Sequence, residues 1–292
     1  MLQLLISTLT EGFLYALLVY GVYITYRILD FPDLTVDGSF ALGAAVTALM
    51  ISSGLSPFLA LPVSLAAGAV AGFVTGLIHV KCRVRDLLSG IITMTALLSV
   101  NLLVAGANLS VADKETVFTL LPLGSLALRW RKLIVAAVLA LLFKILLDRY
   151  FKTRSGLLLR GVGDNPVFVT TLARDSGRVK ILGLTLANAL VAFCGGMICQ
   201  SQRGYTSTMG TGQMVFGLAA VLIGTTVFGK ISFVRGTTAA LAGSVIYKIC
   251  IQLALQAGLS PKLLNLITAA LFLAILLAGT AKKKGGASRG RA

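Results

Sequence analysis

The stretch ILGLTLANALVAFCGGMICQ, residues 181–200, decides the class of fold. A helix needs roughly 20 apolar residues to cross the hydrocarbon core of a bilayer, and this run supplies that length without a charged residue. The whole chain has the same character, because its mean hydropathy is +0.93 and only 12% of its 292 residues are charged. Soluble domains carry about 25% charged residues. The sequence therefore predicts an all-α, polytopic integral membrane protein.

Further apolar runs of similar length lie on both sides of residues 181–200. Each is continuously apolar and does not alternate, which favours helices over a closed barrel. Residues 1–281 would then form one transmembrane domain and residues 282–292 a basic tail. We predict about nine transmembrane helices, at approximately 9–29, 37–53, 57–80, 87–108, 132–148, 181–200, 212–229, 236–257 and 262–280.

The net charge of +16 does not indicate a nucleic-acid-binding protein, because the basic residues lie in short loops between apolar runs. With nine spans and an outside N-terminus, most basic loops fall on the cytoplasmic side, as the positive-inside rule requires. The C-terminus is then cytoplasmic, and its basic tail either sets topology or contacts anionic membrane lipid. Arg129, Arg131 and Lys132 are the exception, since they would face outward.

The longest polar segment directly precedes residues 181–200 and reads RYFKTRSGLLLRGVGDNPVFVTTLARDSGRVK, residues 149–180. We interpret it as a docking site, because a membrane-buried chain has no other evident reason to keep a long polar loop on its cytoplasmic side. The loop contains seven basic residues: Arg149, Lys152, Arg154, Arg160, Arg174, Arg178 and Lys180.

Polar residues also interrupt the apolar pattern at LDFPDLTVDGSFALGAA, residues 29–45, which hold three of the ten acidic residues of the chain. Pro32 is expected to end the first helix, because proline lacks a backbone N–H. Asp37 or Ser39 would then cap the next helix. Two interpretations stay open: an ordinary cap at the membrane edge, or a broken helix that lines a water-filled cavity. The candidate pathway residues are Asp33, Asp37, Ser39 and Asn101.

Two apolar segments resemble each other in their small residues. GSFALGAAVTAL (38–49) and FGLAAVLIGTTV (216–227) both place glycine and alanine after a polar entry. Transporters are often built from such repeats. The similarity hints at a fold of two related halves.

The sequence contains no recognisable catalytic set. Residues 224–230 fit the first seven positions of the phosphate-binding loop G-x-x-x-x-G-K-[ST], but Ile231 stands where the hydroxyl is required. The four cysteines match no zinc spacing. We therefore expect no enzyme, no cofactor and no metal ion in this chain. If ATP drives the protein, a separate subunit hydrolyses it.

The polar loop carries the pattern G-x-x-x-R-G-x-G-x-N at residues 156–165. This pattern resembles the cytoplasmic coupling loop of ABC-importer permeases, and the nearest group is the branched-chain amino acid and ribose permease family. PDLTVDGSFALGA (32–44) and GLAAVLIGTTVFGK (217–230) are similar to an early and a late segment of that family. PDLTVDGSF most resembles a subgroup linked to aromatic amino acid uptake.

The resemblance implies the permease subunit of an ATP-driven importer in the inner (plasma) membrane, for a small polar solute such as an amino acid. Two permease copies would form a homodimer, with cytoplasmic ATP-binding subunits beneath it. An extracytoplasmic solute-binding protein would deliver the substrate, and no nucleic acid is involved.

A short helix at about 164–172 would lie in the ATPase groove. The coupling residues that the resemblance implies are Gly156, Arg160, Gly163, Asp164, Asn165 and Arg174.

Two alternatives remain. One is an ion-coupled secondary transporter that moves a proton or sodium ion on Asp33 or Asp37. The other is a non-transporting membrane scaffold or enzyme subunit, which the docking loop and the lack of a catalytic set disfavour.

Overall fold

The computed structural model describes residues 2–121, 127–164, 175–228 and 235–257, with residues 266, 269, 270 and 273. Across these ranges the protein is a helical bundle with one two-stranded antiparallel sheet. A π-helical segment, Tyr23–Ile28, extends the first helix. The helices are α1 (Leu2–Val22), α2 (Thr35–Ser52), α3 (Pro57–Lys81), α4 (Asp86–Ala105), α5 (Val117–Leu120), α6 (Leu128–Tyr150), α7 (Arg154–Asp164), α8 (Ser176–Gln202), α9 (Gln213–Phe228) and α10 (Gly236–Gln256); the strands are β1 (Asn108–Ser110) and β2 (Gly204–Thr206).

Six helical segments in the described part of the chain are long and apolar enough to cross a membrane. They coincide with six of the predicted spans. Of the other three, the run at 132–148 lies in α6, which has charged residues near both ends, and the run at 212–229 corresponds to the shorter α9. The run at 262–280 falls almost wholly outside the described residues, so the count of nine stays a prediction. The six segments are Gln3–Ile28, Thr35–Ser52, Pro57–Lys81, Asp86–Ala105, Ser176–Gln202 and Gly236–Gln256.

Helix α8 is the centre of the bundle, and its middle third is almost completely buried. Glycines bring two neighbouring helices into backbone contact with it. A Cβ atom on Gly43 of α2 would overlap the Ala192 carbonyl oxygen, and one on Gly72 of α3 would overlap the Leu184 carbonyl oxygen. Small residues permit such close approach between membrane helices. Helices α2, α3 and α8 therefore form one tightly packed group.

The first span breaks where Pro32 predicted. The π-helical segment ends at Ile28, and Asp30 has a left-handed backbone with φ of 52°. The chain then runs without helix as far as Leu34, and α2 begins at Thr35. The broken segment thus separates the first two spans.

The predicted cap of α2 was wrong. Neither Asp37 nor Ser39 caps it, because both lie inside the helix. The Thr35 N–H instead donates to Asp33 Oδ1 at 2.9 Å, so the earlier carboxylate satisfies the first free amide. The carboxylate of Asp37 is bound by another helix, described below.

The small sheet joins two distant connections. β1 follows α4 and β2 follows α8, with Asn108 opposite Thr206 and Leu109 opposite Tyr205. The chain then makes turns at residues 207–212 before α9 starts. The sheet therefore fixes these turns beside the end of α4.

Candidate functional site

A buried polar network lies at the middle of α8. Asn188 Nδ2 donates to Asp33 Oδ2 at 2.7 Å, and Ser39 Oγ donates to Asn188 Oδ1 at 2.7 Å. All three side chains are fully buried. Asn188 is the thirteenth of the 27 residues that begin at Ser176, so it lies about 18 Å from the helix start at 1.5 Å per residue. The side chains of Asp33 and Ser39 thus meet at a buried position well inside α8.

Asp37 connects α2 to the start of α9. Its Oδ1 accepts from the Met214 N–H at 2.7 Å, and its Oδ2 accepts from the Gly212 N–H at 3.0 Å. Amides at a helix N-terminus have no partner within their own helix, and the helix dipole is positive there. Asp37 is therefore the N-terminal cap of α9, although it lies about 175 residues earlier in the chain.

A cavity of about 180 Å³ lies beside Asp37, between α2, α4 and the turns at 207–211. Asn101 lines it and is only 1% exposed. Asn101 Nδ2 donates to the Gly38 carbonyl at 3.2 Å, while Oδ1 has no hydrogen-bond partner in the described ranges. An unsatisfied buried acceptor costs about 1–3 kcal/mol, so a donor on a solute would relieve it. The other walls include Met94, Leu98, Ser207 and Thr211.

The structure brings the four predicted pathway residues together in two pairs. Asp37 and Asn101 line the cavity, whereas Asp33 and Ser39 meet through Asn188. Helix α2 carries Asp37 and Ser39 only two residues apart and so connects the pairs. Among the described residues, no three His, Cys, Asp or Glu side chains could jointly hold a metal ion.

Two of the predicted coupling glycines fix α7 to the membrane helices. A Cβ atom on Gly163 would overlap the Ile28 carbonyl oxygen at the end of the π-helical segment. One on Gly156 would overlap the Tyr150 carbonyl oxygen at the end of α6. Close packing of this kind transmits displacement directly. A push on α7 would therefore reach the broken segment that holds Asp33.

The charged coupling candidates of α7 are exposed. The Arg160 guanidinium lies over the Phe151 ring, 5.0 Å from its centroid, and Asp164 ends the helix at the surface. Asn165 and Arg174 lie outside the described residues, as does nearly all of the short helix predicted at 164–172. The described part of the loop thus presents an exposed charged face on a packed helix.

An ion pair between α1 and α10 was missed by the sequence interpretation. Lys248 Nζ lies 3.1 Å from Glu11 Oε2, and it also lies over the Tyr15 ring at 3.7 Å and near the Phe216 ring at 5.4 Å. Both charges belong to segments apolar enough to span a membrane. Ionisable residues in spans are functional candidates by default, and that signal alone could have identified both.

Comparison with known proteins gives a consistent result. The family described as "Branched-chain amino acid transport system / permease component" matches residues 4–276. The tyrosine transport system permease protein of Clostridioides difficile is 39% identical over 276 residues, which are 94% of this chain and 91% of that protein. An uncharacterized protein of Rickettsia prowazekii is 31% identical, covering 91% and 94% of the two chains. The ribose import permease protein RbsC of Haemophilus influenzae is 26% identical, covering 73% and 66%. The comparison with solved structures gave no significant match.

Proposed function

Because the chain belongs to the permease-component family of branched-chain amino acid transport systems, we propose that it imports a small polar solute, an amino acid, with energy from separate ATPase subunits. The observation that carries the proposal is the cavity beside Asp37, where the irregular turns at 207–211 meet helices α2 and α4. Irregular backbone at membrane depth is tolerated where it lines a cavity, and solute sites of transporters lie there.

The chemistry of the cavity supports an amino acid. Asp37 and the unpartnered Asn101 Oδ1 offer acceptors to an α-ammonium group. Met94 and Leu98 offer an apolar wall to a side chain. The 39% identical relative is named as a tyrosine transport permease, which favours an aromatic amino acid.

The packing of α7 supports coupling to an ATPase through residues 149–180. ATP-driven closure of a docked subunit would move α7, and α7 contacts the first span at Ile28. The displacement would then reach Asp33, Asp37 and the cavity. ATP binding can drive this change only if the ATP-bound ATPase has different affinities for the outward-open and inward-open states of the permease.

The complete transporter in this proposal has two copies of the chain, two ATP-binding subunits and an extracytoplasmic solute-binding protein. Membership of the family implies ATPase and binding-protein partners in general. In this proposal α7 and the C-terminus lie on the cytoplasmic side, which the positive charge of the loops supports. The transmembrane domain would cover residues 1–281, followed by the tail at 282–292.

The secondary-transporter alternative is not favoured. Asp33 has both carboxylate oxygens bound, by Thr35 and Asn188, and it does not line the cavity. Family membership also points to ATP-driven import.

Uptake into vesicles tests the proposal. The chain would be co-purified with an ATPase and a solute-binding protein encoded beside it, then reconstituted with ATP on the side of the ATPase. We expect radiolabelled tyrosine or leucine to accumulate only with ATP and the binding protein, and a proton uncoupler to have no effect. Uptake that does not depend on ATP and is abolished by the uncoupler would contradict the proposal. Uptake of ribose in place of amino acids would contradict the assigned substrate class.

A further inference from the structure

A second cavity, of about 330 Å³, lies where the end of α6, helix α7 and the start of α10 meet. Three basic side chains line it: Lys152, Arg160 and Arg235. Lys152 and Arg160 come from the polar loop at 149–180 and Arg235 from the start of α10, so the fold assembles this group. The cavity lies at the end of the membrane helices opposite the β1–β2 sheet, because α6 and α8 run between the two ends.

The positive charge of this cavity is not fully compensated within the described ranges. Asp148 is the acidic residue of the wall, and it already accepts from Arg235 Nη1 at 3.0 Å and from the Thr237 hydroxyl. It also pairs with Lys144 at 3.3 Å. Among the described residues neither Lys152 nor Arg160 forms an ion pair, and the Arg160 guanidinium lies over the Phe151 ring. Two cationic side chains, Lys152 and Arg160, therefore face the cavity without a carboxylate partner of their own.

The start of α10 adds to the positive electrostatic potential in this cavity. Gly236 and Thr237 line the cavity, and the preceding residue, Arg235, provides no side-chain cap. Free amides and the positive dipole end of this 21-residue helix thus border the space. The Tyr23 ring closes another side. The lining is suited to an anion with several acceptor oxygens.

An apolar surface leads away from the cavity along α6. Ile145 and Leu146 are 52% and 51% exposed and lie within two turns of Lys152. With α6 crossing the membrane, as predicted from residues 132–148, such side chains would face acyl chains. A ligand with a charged head and an apolar tail would therefore match both parts of this region.

We propose that this cavity binds the phosphate group of an anionic phospholipid, with its acyl chains along α6. Basic pockets between membrane helices on the cytoplasmic side are known sites for anionic headgroups, and the basic loops assign this end to the cytoplasm. The phosphate ester would connect Arg160 of α7 to Arg235 at the start of α10. Bound lipid would thus join the proposed coupling helix to the bundle.

Native mass spectrometry of the full chain in neutral detergent, with added phosphatidylglycerol, tests the proposal. Lys152→Gln is the variant, because Lys152 is exposed and unpaired, and Arg154→Gln is the matched control, because Arg154 is exposed but does not line the cavity. We expect phosphatidylglycerol affinity to fall about tenfold in Lys152→Gln, the loss of one charge-assisted hydrogen bond, and to stay unchanged in Arg154→Gln. Thermal unfolding without lipid should be the same for all three proteins, which would show that the variants fold.

Competing ligands separate the possible sources of the phosphate. Phosphatidylcholine should bind the wild type more weakly than phosphatidylglycerol, and inorganic phosphate should not displace the bound lipid at millimolar concentration. Equal phosphatidylglycerol affinity in both variants would overturn the site. Displacement by inorganic phosphate would overturn the lipid assignment. If Lys152→Gln binds lipid normally but no longer binds its ATPase subunit, the lipid proposal is wrong. The occupant of the cavity would then be an acidic side chain of that subunit.

Discussion

Asp37 has two separable roles at the residue scale, a cap for α9 and a charge beside the cavity. Asp37→Asn keeps a single acceptor oxygen, so one of the Gly212 and Met214 amides loses its partner and the variant should lose roughly 1 kcal/mol of stability. Asp37→Ala should lose about 1–2 kcal/mol, because the Gly212 and Met214 amides lose their acceptor. If the carboxylate also binds the substrate ammonium, uptake should fall at least about tenfold in both variants. If Asp37→Asn takes up substrate at the wild-type rate, Asp37 does not bind the substrate and serves only as the cap of α9.

Asn101 offers a test in which stability and transport are expected to diverge. Asn101→Leu removes the unpartnered Oδ1 from a buried position and replaces the amide with an apolar side chain of the same branching and number of non-hydrogen atoms. The free energy of unfolding should change by less than about 1 kcal/mol, since the lost bond to Gly38 is offset by removal of an unsatisfied acceptor. The concentration for half-maximal uptake should rise about tenfold. An unchanged concentration for half-maximal uptake would show that Asn101 does not contribute to the pathway. Thr95→Val, which alters another residue lining the cavity, provides the comparison.

At the scale of the element, α7 combines a packed face and an exposed charged face. Arg160→Glu reverses an exposed charge and should abolish substrate-stimulated ATP hydrolysis in the assembled transporter without unfolding the bundle. Arg154→Glu changes the same charge at the start of the helix, six residues earlier, and should have a smaller effect. Hydrolysis measured in reconstituted vesicles checks both. Wild-type stimulation in Arg160→Glu would contradict the coupling role.

The sequence predicted those elements whose signal is local. A continuous apolar run is enough to indicate a helix, and the six span-length helices lie where such runs were identified. Pro32 correctly predicted the break after the first helix, because a missing N–H acts at its own position. The start of α2 at Thr35 was misjudged by a few residues, since the carboxylate that binds its first amide belongs to Asp33.

Features that depend on distant contacts could not be predicted. The cap of α9 comes from Asp37, and no spacing along the chain connects the two. The cavity needs α2, α4 and the turns at 207–211 at the same depth, which only the packing around α8 establishes. The four pathway candidates were identified as polar residues near spans, but their division into a cavity pair and a buried pair follows from the position of Asn188.

At the scale of the whole molecule, the ion pair between Glu11 and Lys248 joins the first helix to α10. Glu11→Gln should destabilise the bundle by about 2 kcal/mol, because the amide keeps an acceptor oxygen for Lys248 but removes the opposing negative charge. This destabilisation is smaller than the 3–5 kcal/mol that follows when one partner of a fully buried ion pair is removed, since Glu11 is 49% exposed. The double variant Glu11→Gln/Lys248→Met should recover most of the loss. Unfolding in detergent, followed by the same probe for each variant, measures these differences, and a double variant weaker than either single one would contradict the pairing.

The glycine contacts around α8 have a mechanical consequence. Backbones that touch without intervening side chains cannot slide past one another by a fraction of a turn, so α2, α3 and α8 must move as a unit. Helices α9 and α10 form a second such unit, because Cβ atoms on Gly224 and Gly243 would overlap carbonyl oxygens across their contact. The hydrogen bonds of Asp37 and the close contact of Gly210 with the Asp37 carbonyl connect these two groups of helices, and the cavity lies beside this connection. A rocking motion about that carboxylate would widen or close the space with little repacking inside either group.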